Sequence, residues 1–176
     1  MNDLLLLATL LAGPTHGYAL KKRAGLIVGQ AQMHNNLVYP LLRRFVENGW
    51  VSKRAAAGKR GQTREVYALT TKGQQELLRR LRAFTEKEAA SEGEFHLRIG
   101  LFFALDPGAR QQILQERNRW LVARDERLAN LANSIDVGVW GRKVVRFLRE
   151  RIKAERKWIA GLERSVQQEG ASRETS

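Results

Sequence analysis

Apolar residues keep helical spacing over most of this chain and give way to alternation in one short stretch, and that change of period orders the predicted elements. Leu4 to Leu11 is a continuous apolar run that predicts a buried first helix over about residues 3–12, with Asp3 near its start and Gly13-Pro14 stopping it. The run is too short to span a bilayer and Met1-Asn2-Asp3 lacks the positive segment of a secretion signal, so no membrane partner is expected. A second helix is expected from His16 or Gly17 to Leu26, with Thr15 able to cap it, Tyr18, Leu20 and Ala24 turned inward, and Lys21, Lys22 and Arg23 outward. A third should start near Asn35 or Asn36, both good N-caps, with Pro40 close to its first turn and Asn48-Gly49 at its end. Its apolar residues Leu37, Leu41, Leu42, Phe45 and Val46 leave a polar face of Asn35, Asn36, Tyr39 and Arg43.

The period then switches. Trp50 to Arg54 and Arg64 to Leu69 alternate well enough to pair as antiparallel strands around the basic, glycine-containing loop Gly58-Lys59-Arg60-Gly61. Thr70 or Thr71 caps a fourth helix, whose Leu77, Leu78, Leu81 and Phe84 continue the spacing to about Ala90. Ser91-Glu92-Gly93 marks a boundary. Beyond it lie an apolar helical stretch from Phe95 to Leu105 and a helix opened by Asp106-Pro107, with Leu114, Leu121, Leu128 and Ile135 at seven-residue spacing. A last helix from about Val137 to Gln168 carries Val145, Leu148, Ile152, Ile159, Leu162 and Val166, with Glu155 breaking the stripe. Gly170 to Ser176 is small and polar and is expected to be a disordered tail.

The predicted fold is therefore mainly α with a small β-hairpin. A winged helix-turn-helix occupies residues 1–90, and an antiparallel helical domain, whose two long helices can pack on each other or on a second chain as a dimerisation surface, occupies residues 91–169.

Charge turns this architecture toward a partner. The 176 residues hold 31 Lys and Arg against 18 Asp and Glu, a formal net charge of +13. Residues 1–90 carry 15 basic and 6 acidic residues, net +9, and residues 91–176 carry 16 and 12, net +4. The N-terminal half thus faces a polyanion, and neutralising phosphates there would give salt-dependent affinity through counterion release. With no cysteine there is no disulfide, thiolate nucleophile or cysteine-ligated metal, which fits a cytoplasmic location. His16, His34 and His96 are too scattered for a metal motif, and no nucleophile elbow, phosphate loop or paired-carboxylate site occurs. Neither an enzyme nor a cofactor is expected.

A recognition helix reads base edges from its N-terminal half, which makes His34, Asn35, Asn36, Tyr39 and Arg43 the candidates for DNA contact. Asparagine pairs bidentately with adenine and arginine with guanine. The competing roles are local: Asn35 or Asn36 as a cap, and Tyr39 as a packing residue whose hydroxyl meets a phosphate. Lys59, Arg60 and Arg64 on the wing are candidates for phosphate or minor-groove contact, against a purely solvated hairpin. Trp120, Trp140 and Trp158 either line an effector pocket or fill a dimer core, and their helical spacing favours the core.

At these residues the chain resembles the PadR family of transcriptional regulators. The resemblance is carried by the Leu-rich first helix, Gly13-Pro14-Thr15-His16-Gly17-Tyr18-Ala19-Leu20, Tyr39-Pro40-Leu41-Leu42-Arg43-Arg44-Phe45 with Gly49, and Tyr67-Ala68-Leu69-Thr70-Thr71-Lys72-Gly73. Phe102-Phe103 and Glu155-Arg156-Lys157-Trp158-Ile159 are similar to the longer members with a helical tail. The resemblance implies a homodimer, assembled by C-terminal helices, that represses promoters at a pseudo-palindromic double-stranded operator and often releases DNA when a small molecule binds. The chain departs from the family at Leu37-Val38, where a small hydroxyl residue commonly precedes the tyrosine, in a wing without proline, and at Val46 in place of an acidic residue. An adaptor that uses the winged helix to dock an acidic protein is the alternative reading.

Overall fold

The computed structural model describes residues 2–27, 33–57, 63–134 and 138–174. The chain divides into two compact units, one of Met1–Ala83 with His96–Ala104 and one of Phe84–Phe95 with Leu105–Ser176. The boundary expected at residues 90–91 thus falls inside a stretch that clusters with the second unit.

In the first unit, α1 (Asn2–Thr9) is apolar all round and buried from Leu4 to Thr9, and Gly13, at φ 108°, takes the chain out of the short 3₁₀ turn that follows. Helix α2 (Gly17–Ile27) buries Leu20 and Ala24 as its spacing predicts. Two of its residues are reversed from expectation. Tyr18 is 65% exposed, whereas Lys21 is buried and its Nζ donates to Asn35 Oδ1 at 3.0 Å. At 100° per residue Lys21 shares the face of Gly17, Leu20 and Ala24, and Tyr18 does not; residue type misleads here where phase does not.

Helix α3 (Asn35–Glu47) buries Val38, Leu42 and Phe45, one clean i, i+4, i+7 seam. Val38 takes an inward place not anticipated, and Leu37, Leu41 and Val46 flank the seam half-buried. The N-cap is His34, without a side-chain capping bond, so neither asparagine caps the helix. Pro40 lies inside the helix instead of near its first turn, leaving the Asn36 carbonyl without its intrahelical donor. At the other end Gly49, at φ 70°, donates to the Val46 carbonyl, and Trp50 donates to the Phe45 carbonyl. This is a Schellman turn, with its apolar contact supplied by the Phe45 and Trp50 rings 5.7 Å apart.

The wing strands β2 (Val51–Ala57) and β3 (Thr63–Leu69) pair antiparallel from Val51↔Leu69 to Ala57↔Thr63, as their alternation predicts. A third strand, β1 (Thr15–His16), adds to the far edge of β3 through Thr15↔Tyr67 and His16↔Val66. Thr70 then caps α4 (Thr71–Arg82), accepting from Gly73 N–H at 3.0 Å while its hydroxyl donates to the Gly49 carbonyl at 2.7 Å. Gly73 is required by space, because a β-carbon there would stand 1.9 Å from the Trp50 carbonyl oxygen. Gly73→Ala must therefore move the backbone. It is expected to cost about 3 kcal/mol, the upper range for overpacking, read as a lower urea midpoint at unchanged m-value.

Helix α4 ends at Arg82, short of the expected Ala90, because Thr85 and Glu88 form a reciprocal capping box that starts α5 (Glu86–Ala89). The Arg98 guanidinium, on α6 (Glu92–Gly100) and buried, donates to the carbonyls of Arg80, Leu81 and Ala83 at 3.2–3.4 Å, partnering acceptors at the open end of α4.

In the second unit Asp106 Oδ1 accepts from Ala109 N–H at 2.9 Å and caps α7 (Pro107–Ser134), which is followed by α8 (Gly138–Glu174). Arg110 pairs with Glu169, Arg117 with Glu155 and Asp125 with Arg149, an order that makes α7 and α8 antiparallel. Leu114 and Leu121 of the seven-residue seam are buried and Leu128 is half-buried; Ile135 lies outside the described residues. Glu155 interrupts the α8 stripe because it receives Arg117, Nε at 2.7 Å and Nη2 at 3.0 Å. Helix α8 continues through Gly170 to Glu174, where a disordered tail was expected.

Candidate nucleic-acid interface

Helical phase separates the α3 candidates. With Val38, Leu42 and Phe45 inward, Asn36, Tyr39 and Arg43 lie 100–160° away on the exposed face, whereas Asn35 lies only ~60° from the seam. Asn35 spends its side-chain oxygen on Lys21, which ties α2 to α3, although Asn35 and its neighbour Asn36 are both exposed. His34 is exposed at the N-cap. The structure thus brings Asn36, Tyr39 and Arg43 onto one surface with His34 at its edge, and it joins the exposed Asn35 to α2 through Lys21.

Two clefts meet at Tyr39. The larger, about 480 Å³, lies between His16, Gly17 and Tyr18 on one side and Arg64, Glu65 and Tyr67 on the other. The second, about 270 Å³, runs from Tyr39 along Arg43, Val46 and Glu47 to Lys53, Glu65 and Tyr67. Arg64 is exposed beside the first cleft. Lys59 and Arg60 lie outside the described residues.

Glu65 is the acidic centre of this surface. It forms an ion pair with Lys53, and its Oε2 accepts from the Tyr67 hydroxyl at 2.7 Å. The Lys53 hydrogen bond, helped by that of Tyr67, holds the Glu65 carboxyl below its ordinary range. Burial, together with the bond to Glu65, pushes the Tyr67 hydroxyl well above the usual tyrosine range, so at neutral pH it remains a donor. His16 Nδ1 stands 3.3 Å from the Glu65 carbonyl oxygen. Sequence reasoning missed His16, Gly17, Tyr18 and Tyr67 as parts of this surface. The phase of α2 was the available signal for Tyr18; the two-residue β1 gives no periodic signal at all.

Trp120, Trp140 and Trp158 belong to the second unit. Trp120 is half-buried, with the Arg117 and Arg124 guanidinium carbons each 5.0 Å from its ring centroid. Trp140 is 76% exposed, with Lys143 Nζ 4.2 Å above it, and Trp158 is exposed with its ring edge-on to Phe95. Within the chain, therefore, Trp140 and Trp158 are not core residues. Among the described residues no group of acidic and histidine side chains could hold a metal ion, and no helix is long and apolar enough to cross a membrane.

The profile of the transcriptional regulator PadR-like family matches residues 6–79, which run from α1 into α4. A PadR-family transcriptional regulator from Eggerthella lenta is 31% identical over 46% of this chain and 68% of its own, with a TM-score of 0.40. TA0346 from Thermoplasma acidophilum, a candidate transcriptional regulator, is 30% identical over 43% of this chain and 72% of its own, with a TM-score of 0.39. PadR of Bacillus subtilis, solved with operator DNA, is 20% identical over 93% of this chain and 98% of its own, with a TM-score of 0.45. No curated protein matches the chain. With the profile lying across the winged helix and the Eggerthella protein related in sequence over two thirds of its length, this chain belongs to the PadR-like family of transcriptional regulators.

Proposed function

We propose that the protein is a cytoplasmic homodimeric repressor that binds a pseudo-palindromic operator in double-stranded DNA and is released by a small-molecule effector. The observation that carries this reading is the exposed face of α3, where Asn36, Tyr39 and Arg43 stand together beside the basic wing strands. Asn36 and Arg43 read adenine and guanine, and Tyr39, Arg64, Lys59 and Arg60 hold phosphates. His34 and Asn35 act at the edge, Asn35 by fixing the helix through Lys21. Selection of genomic fragments by the purified protein tests the reading: a recurring two-fold site is expected, and random recovery would contradict it.

The dimer reading draws on α8. Its inward stripe is accompanied by a second apolar row, Trp140, Val144, Phe147 and Trp158, which is exposed in the single chain and follows three-and-four spacing interrupted at Arg151 and Ala154. A row of this kind seats a second copy, and the two-fold axis so made would present two α3 helices to successive major grooves. Phe147→Glu is expected to weaken self-association by about tenfold or more, as loss of an aromatic anchor does. Sedimentation across a concentration series reads this, and an unmodified protein that stays monomeric throughout would contradict it.

The effector reading draws on a cleft of about 140 Å³ in the second unit, lined by Leu121, Leu148 and Ile152 together with Arg117, Arg124 and Arg151. Trp120 flanks Arg124 there, while Trp140 and Trp158 lie on the α8 row. A ligand that prefers one dimer state would lift repression by shifting the population toward it.

A further inference from the structure

Gly17 opens α2 with no backbone reason to be glycine. It is not among the positive-φ glycines, which among the described residues are Gly13, Gly49 and Gly138. What it supplies is space. A β-carbon on Gly17 would stand 3.1 Å from Tyr39 Cε1, 3.4 Å from the Tyr39 hydroxyl oxygen and 3.5 Å from Tyr67 Cε2. The Tyr39 phenol therefore lies over Gly17, at the crossing of the two clefts. Beneath it Tyr67 is almost fully buried and is held by its hydroxyl on Glu65, which is in turn held by Lys53. The pairing Thr15↔Tyr67 and His16↔Val66 sets the start of α2 against the same ring. Three elements distant in sequence thus converge on one exposed side chain of α3.

We propose that Gly17 and Tyr67 are positioning residues for DNA recognition, which seat the Tyr39 ring so that its hydroxyl meets the DNA in one fixed place. The inference rests on the reading of Tyr39 as a DNA contact. An exposed tyrosine ordered only on binding would give up rotamer freedom at that moment; one already seated between Gly17 and Tyr67 has little left to lose. This also accounts for the two-residue strand β1, whose pairing with β3 brings Gly17 to the Tyr67 ring, and for a carboxylate on an otherwise basic wing, since Glu65 holds Tyr67.

The test is a double-mutant cycle in the full-length protein, with Gly17→Ala and Tyr39→Ala singly and together. Affinity for the tightest fragment from the genomic selection is measured beside the thermal midpoint of each variant. Gly17→Ala is expected to weaken binding by roughly three- to tenfold, the scale of ordering one interface side chain, with little change in the midpoint. In the Tyr39→Ala background the same substitution should have no further effect, because the ring it displaces is gone. Tyr67→Phe, which keeps the ring and frees Glu65, supplies the second variant and should also weaken binding only when Tyr39 is present. Equal weakening by Gly17→Ala in both backgrounds would mean that the DNA itself occupies the space, and would overturn the proposal. So would full affinity in both Gly17→Ala and Tyr67→Phe. If Tyr39→Ala alone binds as the unmodified protein does, the reading of Tyr39 as a DNA contact is what fails, and the proposal falls with it.

Discussion

Replacing Glu155 with leucine is expected to destabilise the helical unit by about 3–5 kcal/mol, although it restores an unbroken apolar stripe on α8. The reason lies on the facing helix. Arg117 is only 3% exposed; it binds both Glu155 oxygens and the Ala89 carbonyl, and lies 5.3 Å from the Phe95 ring centroid and 5.0 Å from that of Trp120. Without Glu155 a buried guanidinium loses its counter-charge. Arg117→Met should cost less, because Glu155 is 19% exposed and can turn toward solvent. The double variant should recover much of the loss, since a buried ion pair exchanged for well-packed apolar groups is often close to neutral. Chemical unfolding of the four proteins measures the cycle. A double variant as unstable as the sum of the two singles would show that the pair does not act as a unit.

That pair also marks the limit of reading the sequence. The interruption of the α8 stripe at Glu155 is plain in the spacing, but its partner lies 38 positions earlier and no period links them. Legibility was high wherever one helix or hairpin carried its own signal: the inward Leu42 and Phe45 of α3, the turn at Asn48-Gly49, the β2–β3 alternation and the Thr70 cap all follow from local chemistry. The break between α4 and α5 was legible too, since Thr85 and Glu88 have capping-box spacing, but the apolar run through Leu81 and Phe84 hid it. Lys21 and Tyr18 were misplaced because residue type was weighed above phase. Of the residues named from the sequence, Asn36, Tyr39, Arg43 and Arg64 are exposed, and Asn35 is set apart from them by helical phase and by its bond to Lys21. The support beneath Tyr39 was illegible, because it needs β1, α3 and β3 to meet.

Loss of Arg43 is the second large effect. Arg43→Ala is expected to lower operator affinity by about 1–3 kcal/mol, roughly ten- to a hundredfold, and to erase preference for guanine at one position of each half-site. Arg43 lies on the exposed face of α3, with the Glu47 and Lys53 cleft beside it, so its removal leaves no buried partner unsatisfied and stability should hardly change. Arg43→Lys keeps the charge and loses the planar fork. It should therefore restore binding to mixed-sequence DNA but not the base preference. Competition titration with operators altered one position at a time separates the two effects, and equal weakening on every sequence would reassign Arg43 to a phosphate.

Genomic-fragment selection at two salt concentrations decides whether this chain reads a specific DNA sequence through α3 while the wing supplies charge. The unmodified protein is run beside Asn36→Ala and Arg64→Ala. The account predicts a pseudo-palindromic site, relaxed at one position per half-site by Asn36→Ala, and bound more weakly everywhere with a shallower salt slope by Arg64→Ala. Fragments recovered without preference, and unaffected by either change, would contradict it and favour a winged helix that docks an acidic protein.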